Sequence, residues 1–317
     1  MTTAFRLMCL SLLFLGTVSL MNAQSAPVSH NTWTSGAPMP TPLAFSTAAV
    51  LKNQIYVVGG YDGTGQVADV QIYNPVTNAW SAGVPYPTGI GAASSAVAKN
   101  ILYVFGGSID GVNPTNAVWA YNPKTKAWTG VAAMPTARWG TNAVVEKKTN
   151  IIYVIGGDIN SSGNGNIATV ESYNPATDTW TEEEPLLVGE SAVSAGRIGR
   201  AIVIADGTEF ALDASDTESY NALANQWNSL KADPMPRYDT CGAAIGKKLY
   251  VAGGDNQSGS VSITESFKPS TNRWTNLAAM PQAAFSQGTA EYNGKLYCFG
   301  GWAQGTPVLN NVQIYQP

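Results

Sequence analysis

Short apolar runs, separated by Gly, Pro and Asn, follow one another along the chain after Pro27, and nothing there shows the sustained 3.6-residue period of a helix face. The first unit sets the pattern. Ala44 to Leu51 predicts a strand of small residues, and Ile55 to Val58 a short apolar strand closed by Gly59 and Gly60. Val67 to Tyr73 alternates as a half-buried strand does. Asn74-Pro75-Val76-Thr77 predicts a tight turn, because proline presets φ for it. Ala79 to Ala82 predicts a fourth strand that carries Trp80.

The unit then repeats. Trp33, Trp80, Trp128, Trp180, Trp227 and Trp274 are spaced 47, 48, 52, 47 and 47 residues apart. A glycine pair ends an apolar run at Gly60, Gly107, Gly157, Gly254 and Gly301; the remaining copy, IVIADG, has Asp206 in place of the first glycine. An aromatic residue precedes a turn at Tyr73, Tyr121, Tyr173, Tyr220, Phe267 and Tyr315. Three independent markers give six units, and a period of this length signals a repeat architecture. A lone four-stranded sheet cannot bury both faces, whereas six sheets packed around an axis can. The last unit ends at VQIYQP without its tryptophan strand, and HNTWTSGAPMP near the start is a tryptophan strand without the three before it. The Trp33 segment is therefore expected to complete the sixth blade.

Met-Pro, an apolar strand, IYVVGG and then YNPxTxxW resemble the kelch repeat, over essentially everything after Pro27. The resemblance implies an all-β, six-bladed kelch-type β-propeller of four-stranded blades at 27–317, its ring closed by the N-terminal strand. It also implies a binding face where the second-to-third-strand loops gather. These are Tyr61 to Gln66, Ser108 to Asn116, Asp158 to Ile167, Thr208 to Thr217, Asp255 to Ser260 and Trp302 to Asn310. Such propellers include enzymes, adhesion modules and adaptors, so fold alone licenses no activity.

The N-terminus changes the setting. Arg6, an apolar run from Leu7 to Met21 and small residues at Ala23, Ser25 and Ala26 read as a secretory signal over 1–26. The run is shorter than the ~20 residues of a membrane-spanning helix. A secreted or periplasmic protein with no membrane span after signal removal is expected. Cys9 would leave with the signal; Cys241 and Cys298 remain, and their spacing does not say whether they pair. Charged residues make up 12 % of the chain and the net charge is −4. With no basic stripe there is no footprint for nucleic acid.

Departures from the repeat are where function is sought. Counting 17 residues back from the second glycine of each pair reaches Leu43, Ile90, Glu190, Arg237 and Ala284, and in the third unit, whose EKKTN hairpin adds about two residues, the equivalent position is Arg138. Three successive units thus place charge at one level, with Trp139, Tyr238 and Asp239 beside it. Two expectations compete. Arg138 and Arg237 tie down loops as scaffold, or they form with Glu190 and Asp239 an anion- or sugar-binding mouth. Arginine forks suit carboxylates.

Much chemistry is excluded. His30 is the sole histidine, so histidine triads and multi-histidine metal sites are unavailable. The copper and iron sites of kelch-like oxidases and specifier proteins need histidines absent here. No cofactor and no metal are expected. Asp62, Asp158 and Asp255 follow glycine pairs and read as turn formers. The expectation is a monomeric binding module for a carbohydrate or protein partner. The alternative is an acidic-sugar mutarotase or epimerase with Glu190 as its proton-transfer group. For that alternative the resemblance is architectural only, to bacterial sialic-acid mutarotases.

Overall fold

The computed structural model describes residues 30–160, 165–209 and 212–317; the expected export signal lies outside them. Six four-stranded antiparallel sheets form the blades of a propeller. The inner strands are Thr47–Leu51, Ser94–Ala98, Asn142–Glu146, Ser194–Ile198, Cys241–Ile245 and Gly288–Tyr292, for blades 1 to 6. Blade 1 continues outward through Gln54–Val58, Val70–Asn74 and Ala79–Ala82. Two of these strands are shorter than the hydrophobic pattern predicts. Ala44 bridges to Tyr61 instead of joining the inner strand, and Val67 donates to the Gly60 carbonyl while still in the loop. A 3-10 turn at Pro269–Thr271 is the sole helical element among the described residues. No helix there is long and apolar enough to cross a membrane.

Blade 6 is built from both ends of the sequence. Its outer strand, Thr32–Gly36, pairs with Val312–Gln316, opposing Trp33 to Tyr315. The expected closure is therefore observed. It gives the sixth blade the same four strands as the other five.

The repeated aromatics explain why each unit needs its neighbour. Every one of the six tryptophan indoles donates to a carbonyl of the segment leaving the preceding blade, for example Trp80 to Ala37 at 2.8 Å and Trp180 to Ala132 at 2.9 Å. The turn aromatic packs at a tilt against the tryptophan of its own blade, as Tyr173 does against Trp180 at 5.0 Å. Phe105 of blade 2 meets the edge of Trp180 in blade 3. An indole thus supplies apolar area and satisfies its polar end in one place.

The glycine pair has a steric reason. Gly59 has φ of +61°, and a Cβ there would sit 2.3 Å from the Ile90 carbonyl oxygen of the next blade. That oxygen instead accepts the Gly60 N–H at 2.7 Å. The same inter-blade bond recurs six times, onto the carbonyls of Leu43, Ile90, Arg138, Glu190, Arg237 and Ala284. The level found by counting is thus a structural seam. Cys241 and Cys298 form a disulfide, with Cα atoms 5.9 Å apart, that joins the inner strand of blade 5 to the second strand of blade 6.

Candidate functional site

Two residues beyond the seam, the chain closes a second circle. Phe45, Ala92, Gly140, Ala192, Asp239 and Ser286 each lie twelve residues after a repeat tryptophan. All six adopt positive φ, between 52° and 58°. Each N–H donates to the carbonyl of the corresponding residue in the preceding blade, from Phe45 to Ser286 round to Ser286 on Asp239. Five are not glycine, so the left-handed backbone is strained and is held by the ring it closes. This ring surrounds one mouth of a central channel of about 390 Å³.

Hydroxyls line the channel and pair between blades, as Ser94 does with Thr141 and Ser194 with Thr240. Asp239 is the ring's one charged member. It is half-buried and accepts the Ser286 hydroxyl at 2.7 Å. Burial pushes its carboxyl up to about 6; the Ser286 bond opposes the rise and nearby Asp255 adds to it.

The charged groups expected at this mouth divide. Arg138 and Arg237 share the predicted level, but both are 0 % exposed. Arg138 spends its guanidinium on Glu171 at 3.0 Å and on the carbonyls of Thr169 and Val154. Arg237 meets Glu265 at 2.8 Å, Asp233 at 3.5 Å and, across the seam, Asp206 at 3.9 Å. Glu190 is also 0 % exposed. The two guanidinium ends turn into the blades, where carboxylates and carbonyls meet them. The third strand of each blade supplies the partner, Glu171 for Arg138 and Glu265 for Arg237. No ligand carboxylate reaches either guanidinium in this arrangement.

Tyr238 and Trp139 occupy one position, immediately before the ring, and bridge to Asp255 and Asp158 respectively. They do not come together. Tyr238 lines a cleft of about 490 Å³ between blades 5 and 6, and Trp139 is not among its walls. Phe285, Trp302, Asp255, Asn256, Gln257 and Gln304 share that cleft with Tyr238. Phe285 and Trp302 are near-parallel, at 8° with centroids 6.4 Å apart, and Trp302 continues onto Tyr61 of blade 1 at 5.8 Å. The small hairpin Asp255–Asn256 with Gly259–Ser260 also borders the cleft, held when Gln304 N–H donates to Ser260 Oγ. Gln257 N–H donates to Asp213 Oδ2, which brings a carboxylate from blade 4 to the rim.

Sequence reasoning missed this cleft. The signal was available, since Phe285 stands at the register of Trp139 and Tyr238, and Trp302 at that of Asp255. What was missing is that neighbouring blades bring these two registers into one concavity.

The comparisons agree with the architecture. A family model described as the KLHDC2/KLHL20/DRC7 Kelch-repeats domain matches residues 14–134, and the Kelch motif matches 141–187 and 236–281. The chain belongs to the kelch-repeat family. The stretch between the last two matches is blade 4 of this kelch propeller, the blade in which Asp206 replaces a glycine. No curated protein matches the chain in sequence. A solved structure described as "Structure of YjhT" covers 88 % of this chain and 96 % of its own, at 18 % identity and a TM-score of 0.75. That likeness is one of fold.

Proposed function

We propose that this kelch propeller is an exported, non-catalytic binding module that takes a carbohydrate ring in the cleft between blades 5 and 6. The observation that carries the reading is the wall of Phe285 and Trp302, faced by Tyr238 and by the polar groups of Asp255, Asn256, Gln257 and Gln304. A pyranose has an apolar C–H face and a rim of hydroxyls. An aromatic wall accepts the first, and carboxylates and amides accept the second. Binding cavities typically combine mostly apolar walls with a few placed polar groups, at volumes of roughly 300–1,000 Å³. Tyr238 is a contact residue in this reading, and Asp239 lies next to it on the channel side. Arg138, Glu190 and Arg237 position the loops.

Export is supported by the Leu7 to Met21 run and by the Cys241–Cys298 disulfide, since disulfides persist in oxidising compartments. N-terminal sequencing of protein recovered outside the cytoplasm tests it; an intact Met1 there overturns signal removal. A glycan array followed by calorimetry tests the site. Binding is expected to fall by about tenfold or more in Phe285→Ala, the cost of losing one stacked aromatic contact, with melting temperature nearly unchanged. Binding that survives both Phe285→Ala and Trp302→Ala overturns the site, and an array with no bound glycan overturns the carbohydrate reading.

A further inference from the structure

We infer that the cleft between blades 5 and 6 selects a positively charged occupant, an ammonium-bearing sugar, over neutral and acidic sugars. The inference rests on the binding reading above and adds the charge of the ligand. Three observations meet here.

The first is the distribution of charge. Among the described residues, those lining the cleft include Asp255 and no Lys or Arg. Asp213 reaches its rim through the Gln257 N–H, and Asp239 is next in sequence to Tyr238. None of the six second-to-third-strand loops contains a Lys or Arg. The cations stand elsewhere: five of the six turns between an inner and a second strand carry one, at Lys52, Lys99, Lys148, Arg200 and Lys247, and in the sixth blade Lys295 opens the second strand. These turns are at the far end of the inner strands from the ring. The two arginines at the seam are buried against carboxylates of their own.

The second is an open valence. Asp255 Oδ1 is shielded from solvent and has no hydrogen-bond partner among the described residues. A shielded carboxylate oxygen without a donor is costly, and a charged N–H donor is its strongest partner. Burial, with Asp255, Asp239 and Asp213 in that order, pushes the Tyr238 phenol up to about 12. The negative potential of three carboxylates is thus felt at the cleft wall.

The third is the aromatic lining. Aromatic faces carry negative quadrupole density, so Tyr238, Phe285 and Trp302 attract an ammonium group as well as a C–H face. A neutral sugar also uses the aromatic lining, but it has no need of a surplus of carboxylates. A cation uses both, and an acidic sugar is repelled by both.

The test is calorimetry of the full mature protein with three oligosaccharides of equal length: a glucosamine oligomer, its N-acetylated counterpart and a hexuronic acid oligomer. Tetramethylammonium is a fourth probe. The glucosamine oligomer is expected to bind about tenfold tighter than the acetylated one, and to lose that advantage as salt rises past ~0.15 M. Asp255→Asn should bring the two to near parity, by weakening the glucosamine oligomer far more than the acetylated one. Asp213→Asn should narrow the gap in the same direction if the first variant unfolds. Equal binding of amino and acetylated forms, or a preference for the uronic acid, overturns the inference and leaves the carbohydrate reading standing. Binding of tetramethylammonium with no sugar bound keeps the charge inference and overturns the carbohydrate reading. No binding of any probe overturns both.

Discussion

Asp206 Oδ2 lies 3.9 Å from Arg237 Nε, and the contact joins blade 4 to blade 5. Asp206 occupies the glycine slot with φ of 59°, fully buried. Arg237 is the residue whose carbonyl accepts the neighbouring Gly207 N–H. The strained aspartate and the buried arginine are therefore two sides of one seam. Asp233 and Glu265 complete the cluster, in which three carboxylates face one guanidinium. Burial works against the guanidinium's charge, but Asp206, Asp233 and Glu265 together outweigh it and hold the charge in place.

Full ionisation would leave surplus negative charge in a buried site, so the folded cluster retains a proton. Burial pushes Asp206 well above the usual carboxylate range, and burial with Asp233 pushes Glu265 from 4.5 to about 7. A carboxyl raised in the folded state binds more protons than its unfolded counterpart, so stability falls as pH rises through that window. The contribution is present below about 4.5 and is lost by about 7. Melting temperatures should drop by several degrees between pH 5 and pH 8, and Glu265→Gln should flatten the slope. A slope unchanged in that variant would assign the pH dependence to other groups.

Arg237→Met should cost roughly 3–5 kcal/mol in a denaturant titration, because three buried carboxylates lose their counter-charge. Arg237→Met combined with Asp206→Gly and Glu265→Gln should recover part of that loss. A single-variant loss below about 1 kcal/mol, the range of exposed ion pairs, would contradict the buried cluster.

Deleting residues 27–36 removes the outer strand of blade 6 together with the Trp33 indole bond to Ala278. Its melting temperature should fall far more than that of a protein shortened at the Gly63-Thr64 loop tip. Equal melting temperatures would remove the closing role of the strand.

The Cys241–Cys298 bridge closes a span of 57 residues. Chain-entropy reasoning gives about 4 kcal/mol for a loop of that length. Cys241→Ser with Cys298→Ser should therefore melt well below the oxidised protein and be insensitive to reductant. The same melting temperature with and without reductant in the unaltered protein would show that the bridge adds no stability.

Trp180→Ala removes the tilted ring contact with Tyr173, the edge contact with Phe105 and the bond to Ala132. A loss of roughly 3–5 kcal/mol is expected, as for other large-to-small aromatic truncations. A loss below about 1 kcal/mol would place little of the inter-blade energy at this residue.

The number of blades, their four strands and the closure by Trp33 were all legible in the sequence, because each depends on local periodicity. A strand's alternation, a glycine pair and a tryptophan are set within a few residues of one another. The seam at Leu43, Ile90, Arg138, Glu190, Arg237 and Ala284 could also be counted. What counting could not give was the direction of the side chains. Arg138 and Arg237 turn inward because Glu171 and Glu265, on third strands 33 and 28 residues away, offer buried partners. Tyr238, Phe285 and Trp302 share a cleft because blades 5 and 6 are adjacent around the axis. The pairing of Cys241 with Cys298 has the same origin. Periodicity fixes what lies within a blade, whereas the contacts between blades arise only when the ring closes and brings distant registers to one place.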